Sequence, residues 1–274
     1  MTPPLEAAPV RVPILMYHAI SEKASRAFKP FAVTPGEFAS QVAHIAKAGY
    51  TSYTVSGFLQ AAGAGTLKSK PVILTFDDGF ADFHHTAIPI LASHAVRATL
   101  YVVSGAVGGV SHWLASAGEG RRPLLDWRQL ALVAKAGIEV GAHTQTHPAL
   151  DLIPAAHARE EIAGSKRTIE EGLGIKVESF AYPYGYYSRQ VRQMVEDANY
   201  SSACAVNYAM SSTVEDRFLL SRHIVRRGTS IAGLSAILQE RSPLSQLLHD
   251  RWRTRAWRAV RHVAVRLDQR QANP

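Results

Sequence analysis

The chain has 274 residues, 47% hydrophobic and 19% charged, a globular composition long enough for one large core, with nothing in its interior that reads as a linker. A formal net charge of +8 would suit a polyanionic ligand, but residues 241–274 hold eight Arg against two Asp and carry +6 of it, so the near-neutral body gives no reason to expect nucleic acid. The single cysteine, Cys204, excludes an internal disulfide, no run reaches the roughly 18–20 apolar residues of a membrane span, and residues 1–10 lack the pattern of a secretory signal, so a cytoplasmic protein is expected.

In chain order, short apolar runs at 12–17, 50–54, 71–76, 97–103, 138–142, 177–182, 200–206 and 218–222 predict strands. After the first of them, Thr34-Pro35-Gly36-Glu37 supplies an N-cap, a proline at the first helical position and a capping-box glutamate, and Gly49 ends the helix. Further helices are expected at 82–94, 126–136, 155–171 and 188–198, with a kink or late start at Pro89. Strand-helix alternation over residues 10–240 implies a single α/β domain around a parallel sheet. No Gly-x-Gly-x-x-Gly or Gly-x-x-x-x-Gly-Lys loop follows a strand, which favours a barrel of about seven parallel strands over an open nucleotide-binding sheet. The glycine-rich stretch from Gly105 to Gly120, with His112 and Trp113, is long for a connection and reads either as a rim loop or as a surface excursion.

Three of the strands end in residues able to do chemistry, and strand ends are the functional rim of a parallel barrel. Pro71–Phe76 runs directly into Asp77-Asp78-Gly79, which alone would also serve as an ordinary turn. Residues 138–142 deliver His143-Thr144-Gln145-Thr146-His147, two imidazoles four apart that can converge on one ion. One carboxylate with two imidazoles leaves open coordination positions, as a catalytic metal requires. Phe180-Ala181-Tyr182-Pro183-Tyr184-Gly185 follows a third strand, and its tight bend could turn the amide of Tyr184 into the site as an oxyanion donor.

The signatures Thr75-Phe76-Asp77-Asp78-Gly79, His143-Thr144-Gln145-Thr146-His147 and Tyr182-Pro183-Tyr184-Gly185, in that order, resemble those of the polysaccharide deacetylases of carbohydrate esterase family 4. The resemblance spans residues 10–230 and implies a distorted (β/α) barrel, a divalent metal, usually zinc with cobalt, nickel, manganese or iron as alternatives, and removal of N-acetyl groups from N-acetylhexosamines. By position, Asp77 matches the general base, and Asp78, His143 and His147 match the metal ligands. Trp127 resembles the groove tryptophan of the family, and it is expected to bind substrate together with Tyr182, Pro183 and Arg222.

Two positions depart from the common pattern. Ala181 stands where many relatives carry an arginine that orients the base, so that support is expected to be missing. In Leu220-Ser221-Arg222-His223 an arginine stands where many relatives carry the acid histidine, and His223, one residue out of register, should face away. With Met16-Tyr17-His18 these departures resemble the branch of poly-N-acetylglucosamine deacetylases. His18 ends the first strand at the rim and is expected to be the proton donor, with an unperturbed pKa near 6.5.

Residues 241–274 read as a basic amphipathic helix with Trp252, Ala256, Ala259, Val263 and Leu267 along one stripe, suited either to packing on the barrel or to an anionic membrane surface. The expected activity is metal-dependent N-deacetylation of a glycan, glycolipid or sugar intermediate of cell-envelope synthesis, with a lipid-linked sugar at the inner membrane face as one candidate. Two rivals remain open: a non-haem iron oxygenase, whose facial triad also uses two histidines and a carboxylate, and a degenerate carbohydrate-binding module.

Overall fold

The computed structural model describes residues 9–240; the expected C-terminal amphipathic helix and its membrane contact lie outside the described residues. Eight parallel strands form the central sheet: β1 (Ile14–Tyr17), β2 (Thr51–Tyr53), β3 (Pro71–Phe76), β4 (Thr99–Val102), β5 (Glu139–Ala142), β6 (Ser179–Ala181), β7 (Ser202–Cys204) and β8 (His223–Ile224). Seven follow one another in space as β7-β6-β5-β4-β3-β1-β8, and β2 pairs with the first half of β3. The sheet curls into the distorted α/β barrel that the alternation of elements implied.

The expected strand at 218–222 is displaced. Residues 217–222 cross the gap between β7 and β1, with Ala203 N–H donating to Arg217 O and Ala205 N–H to Leu220 O, both at 2.9 Å. Regular pairing starts only where the segment reaches β1, opposite Leu15 and Met16, so the strand proper is β8. Its length is set by the gap it must span rather than by its apolar pattern.

Helices α1 (Pro35–Lys47), α2 (Val55–Gly63), α3 (Ile88–Ser93), α4 (Trp127–Lys135), α5 (Ala155–Leu173), α6 (Arg189–Asp197) and α7 (Ile231–Leu238) follow in chain order. The capping box of α1 is formed: Thr34 Oγ1 accepts from Glu37 N–H at 3.2 Å and the Glu37 carboxylate accepts from Thr34 N–H at 2.9 Å. Pro89 lies in the first turn of α3, after a π-helical turn at Phe83–Ala87, the late start its missing N–H requires. Nothing in the sequence reading anticipated α2 or α7. Each is short, and the glycines inside them, Gly57 and Gly233, weaken the helical signal.

Strand alternation divides the core. Leu15, Tyr17, Leu74, Phe76, Leu100, Val102, Val140 and Phe180 pack outward in the main cluster under the helices. Ile14, Ile73, Tyr101, Ala181 and Cys204 form a second cluster inside the curl. Continuing the inward set one step past each strand brings Asp77, His143 and His18 to one mouth of the barrel. No described helix is long and apolar enough to cross a membrane.

Candidate active site

At that mouth Asp78, His143 and His147 place one donor atom each within 4.8 Å of one another, all three side chains being buried. Asp78 Oδ1 lies 3.3 Å from His147 Nε2 and 3.7 Å from His143 Nε2. Ligands about 2.0–2.1 Å from a tetrahedral ion stand roughly 3.3–3.4 Å apart, so the spacing suits a small divalent cation after little adjustment. His143 Nδ1 meets the carbonyl of Ala181 at 2.7 Å. A carbonyl can only accept, so Nδ1 carries the proton and the Nε2 lone pair is left for the ion.

The electrostatics agree. Burial pushes the Asp78 carboxyl well above the usual carboxylate range, and the charge of Asp77 pushes it further. Burial holds the His147 imidazole well below its ordinary value, helped by His143 and His18, and lowers that of His143. A carboxylate that resists ionising beside two imidazoles kept neutral is a donor set that one divalent cation satisfies.

Local backbone strain sets these positions. Asp78, Thr144, His147 and Tyr184 all have positive φ, at 78°, 67°, 64° and 59°, in the left-handed region that costs a non-glycine residue about 1 kcal/mol or more. The histidine turn is held from two sides. Thr144 Oγ1 accepts from His147 N–H at 2.9 Å, and the Glu161 carboxylate on α5 accepts from the N–H groups of Gln145 and Thr146 at 2.8 and 2.9 Å. Glu161 was not singled out in the sequence, where it is one acid among several on an amphipathic helix. Gly105 permits the third support, donating its N–H to Gln145 O at 3.0 Å, because a Cβ there would sit 2.7 Å from that same oxygen.

Asp77 is paired with Arg222, which corrects two expectations. Nη1 donates to Oδ1 at 2.7 Å and Nη2 to Oδ2 at 2.8 Å, a two-pronged contact, while Nε donates to Ala205 O at 3.1 Å and Nη1 also to Thr75 Oγ1 at 3.2 Å. Arg222 is fully buried against Asp77 and so does not line the cleft as a substrate-binding residue; the guanidinium that position 181 lacks is supplied from the segment on the far side of β7 from β6. Ala181, whose side chain is a single methyl, leaves the interior free for it. Burial alone would raise the Asp77 pKa, but Arg222 and then His143 outweigh it and hold the carboxyl below its ordinary value.

Above these groups opens a cleft of about 320 Å³. Trp113 from the Gly105–Gly120 stretch, which is therefore a rim loop, stacks on His147 with ring centroids 5.0 Å apart and planes at 21°. Tyr184 meets the same imidazole edge-on at 4.7 Å, and Phe28 and Phe31 stand on another side. Arg122 ties the rim together: its guanidinium lies 5.2 Å from the Phe28 ring and 5.5 Å from the Phe80 ring and pairs with Glu119 and Asp82.

His18 lines the cleft, but its expected pKa is corrected. Burial lowers it to about 4 against the pull of Asp77, with Arg222, His143 and Arg226 adding to the fall, so at neutral pH it is uncharged. Among the described residues its buried Nδ1 meets no hydrogen-bond partner. His223 pairs across from Leu15 on the outward face, while Ile224 beside it lines the cleft, as the register argument required.

Three further site expectations fail. Trp127 lies over Gly172 of α5, where an added Cβ would be 2.4 Å from its ring, so it packs between α4 and α5 and not in the cleft. Tyr182 is fully buried and donates its hydroxyl to Phe218 O at 3.0 Å, since it continues the outward alternation of β6. Pro183 is buried in the turn that presents Tyr184. The cleft tryptophan is Trp113, from the stretch for which a rim loop was one of the two expectations.

A protein-family model described as polysaccharide deacetylase matches residues 64–203, which hold both aspartates, both histidines and the Tyr184 turn. The chain belongs to this family. The deacetylase is thus a hydrolase acting on amide bonds. A Bacillus subtilis protein named as polysaccharide deacetylase YxkH is 26% identical over 235 residues, 84% of this chain and 77% of that one. Among solved structures, the Streptococcus pyogenes deacetylase PplD in complex with acetate superposes with a TM-score of 0.73 at 27% identity, over 84% of this chain and 99% of that one. A polysaccharide deacetylase from Bacillus cereus gives 0.72 at 25%, over 84% and 69%. IcaB from Ammonifex degensii, at 24% identity and a TM-score of 0.69 over 84% and 97%, shares the fold.

Proposed function

We propose that this deacetylase releases acetate from an N-acetylhexosamine in a glycan, glycolipid or sugar intermediate of the cell envelope, using a divalent ion, zinc above others, held by Asp78, His143 and His147. The observation that carries the reading is the pairing of this donor set with an adjacent carboxylate, Asp77, locked and kept ionised by Arg222. A divalent ion bound there would lower the pKa of a water toward about 7 and polarise the acyl carbonyl.

The protein's own groups supply the rest. Asp77, ionised at neutral pH and unable to swing away from Arg222, accepts the proton of the attacking water. The Tyr184 amide serves as a donor to the acyl oxygen as charge develops on it. His18, neutral at the start, must gain a proton before it can give one. It takes the proton that Asp77 has just accepted and passes it to the leaving nitrogen. The rings of Trp113 and Tyr184 wall off His147 and provide faces on which a sugar can lie.

Arg222 also bears on the rival of a degenerate binding module, which drew its support from Ala181: the base retains its arginine. Acetate release should be measured on free, oligomeric and lipid-linked N-acetylhexosamines with the chelated and the zinc-loaded protein. Release by the zinc-loaded protein alone is expected; none from any of them, with one ion bound per chain, would refute the reading.

A further inference from the structure

Most buried or half-buried arginines around the cleft are spent on acids. Arg222 holds Asp77, Arg122 holds Glu119 and Asp82, and Arg227 holds the Glu22 carboxylate and backbone carbonyls. Arg226 differs. It lines the same cleft as Asp77, Asp78 and His147, it is exposed, and none of the described residues offers it a carboxylate.

Its position is nevertheless fixed. The backbone N–H donates to Thr229 Oγ1 at 3.1 Å, Nη2 donates to Tyr208 Oη at 3.3 Å, and the guanidinium lies 5.3 Å from the centroid of the Phe31 ring. A guanidinium has five N–H donors, and one of the five is engaged by these contacts. The others remain for a ligand. Held against an aromatic face and a phenol, the group loses little further freedom on binding an anion, which is the circumstance in which an exposed cation contributes to affinity.

The charge of the whole cleft points the same way. Its acids are Asp77 and Asp78; Arg222 neutralises the first, and the divalent ion of the proposed reading more than neutralises the second. Arg226 then stands as uncompensated positive charge at a mouth otherwise walled by Phe28, Phe31, Trp113, Tyr184 and Tyr186. A neutral glycan could accept hydrogen bonds from it but would leave its charge unmatched.

We infer that Arg226 is a specificity-determining residue that selects N-acetylated sugars bearing an anionic group, a phosphate or a carboxylate, close to the acetamide. This rests on the deacetylase reading above and narrows its substrate class. The two sources of the anion are separated by the probes: N-acetylglucosamine 1-phosphate, N-acetylmuramic acid, and neutral N-acetylglucosamine and its trimer, each given to zinc-loaded protein and to Arg226→Gln. Wild type should turn over one charged sugar about tenfold or more better than the neutral ones in kcat/KM. Arg226→Gln should remove that advantage through KM, and added salt should erode it in the wild type only.

Equal use of charged and neutral sugars, or an advantage that survives Arg226→Gln, overturns the inference while leaving the deacetylase reading intact. If none of these sugars is hydrolysed, the deacetylase reading is decided by the lipid-linked substrates named above, and calorimetric binding of the same probes decides about Arg226. Tighter binding of a charged sugar that is lost in Arg226→Gln upholds the anion site, and equal binding by the two proteins removes it.

Discussion

The guanidinium of Arg222 lies against both carboxylate oxygens of Asp77 although the two residues are 145 positions apart in the chain. The pair lowers the Asp77 pKa, so its stabilisation is present above the unfolded value and is lost as pH falls through the folded one. Arg222→Met should therefore move the acid limb of the pH-rate profile to higher pH. It should also cost about 3–5 kcal/mol in thermal or denaturant unfolding, the usual penalty for stranding one member of a buried pair. Arg222→Lys should return part of the stability but not the two-pronged hold. An acid limb that stays in place in both variants would contradict the role given to this pair.

Asp77 and Asp78 are neighbours with different duties, and metal content should separate them. Asp78→Ala is expected to lose the ion by elemental analysis along with activity. Asp77→Asn should keep the ion and lose at least about a hundredfold in kcat. Chelation should abolish turnover of the wild type, and zinc should restore it. Equal loss of metal from the two variants would remove Asp77 from the role of base.

His18 and His223 offer a second contrast. His18→Ala should reduce kcat far more than His223→Ala, with metal content unchanged in both, because only His18 faces the cleft. Greater damage from His223→Ala would mean that the proton is delivered from the outward side of β8.

The two tryptophans should divide stability from binding. Trp113→Ala is expected to raise KM for the sugar several-fold with little change in the unfolding midpoint, since the half-buried ring stacks on His147 at the cleft. Trp127→Ala should leave KM alone and cost about 2–3 kcal/mol of stability by opening a void above Gly172. The reverse assignment in a paired kinetic and melting experiment would restore Trp127 to the cleft.

What the sequence made legible was local. The Asp77-Asp78 pair and His143 follow apolar runs directly, so the strand ends place them at the rim, and His147 is found by its spacing of four from His143. The same logic placed His18 at the cleft and His223 away from it. Arg222 was expected to bind substrate, and its pairing with Asp77 escaped because that partner is chosen by how β8 registers on β1, a pairing between the two ends of the domain that no short window contains. The place of Trp113 over His147 escaped for another reason: its loop has no periodicity, and the ring packs against a cluster of Phe28, Phe80 and Leu124 drawn from distant parts of the chain. Trp127 misled because a tryptophan opening a helix looks the same whether its ring meets solvent, a sugar or a neighbouring helix.

Residues 217–224 bridge the one seam that the curled sheet leaves between β7 and β1, and Arg222 rides on that bridge. Strands β1 to β7 all precede the bridge in the chain, so the counter-charge of Asp77 comes from a later segment than the aspartates and histidines at the mouth. Loss of the bridge's contacts would leave Asp77 buried without its counter-charge and driven toward protonation. Closure of the sheet between β7 and β1 and the ionised state of Asp77 are thus coupled through one side chain, that of Arg222.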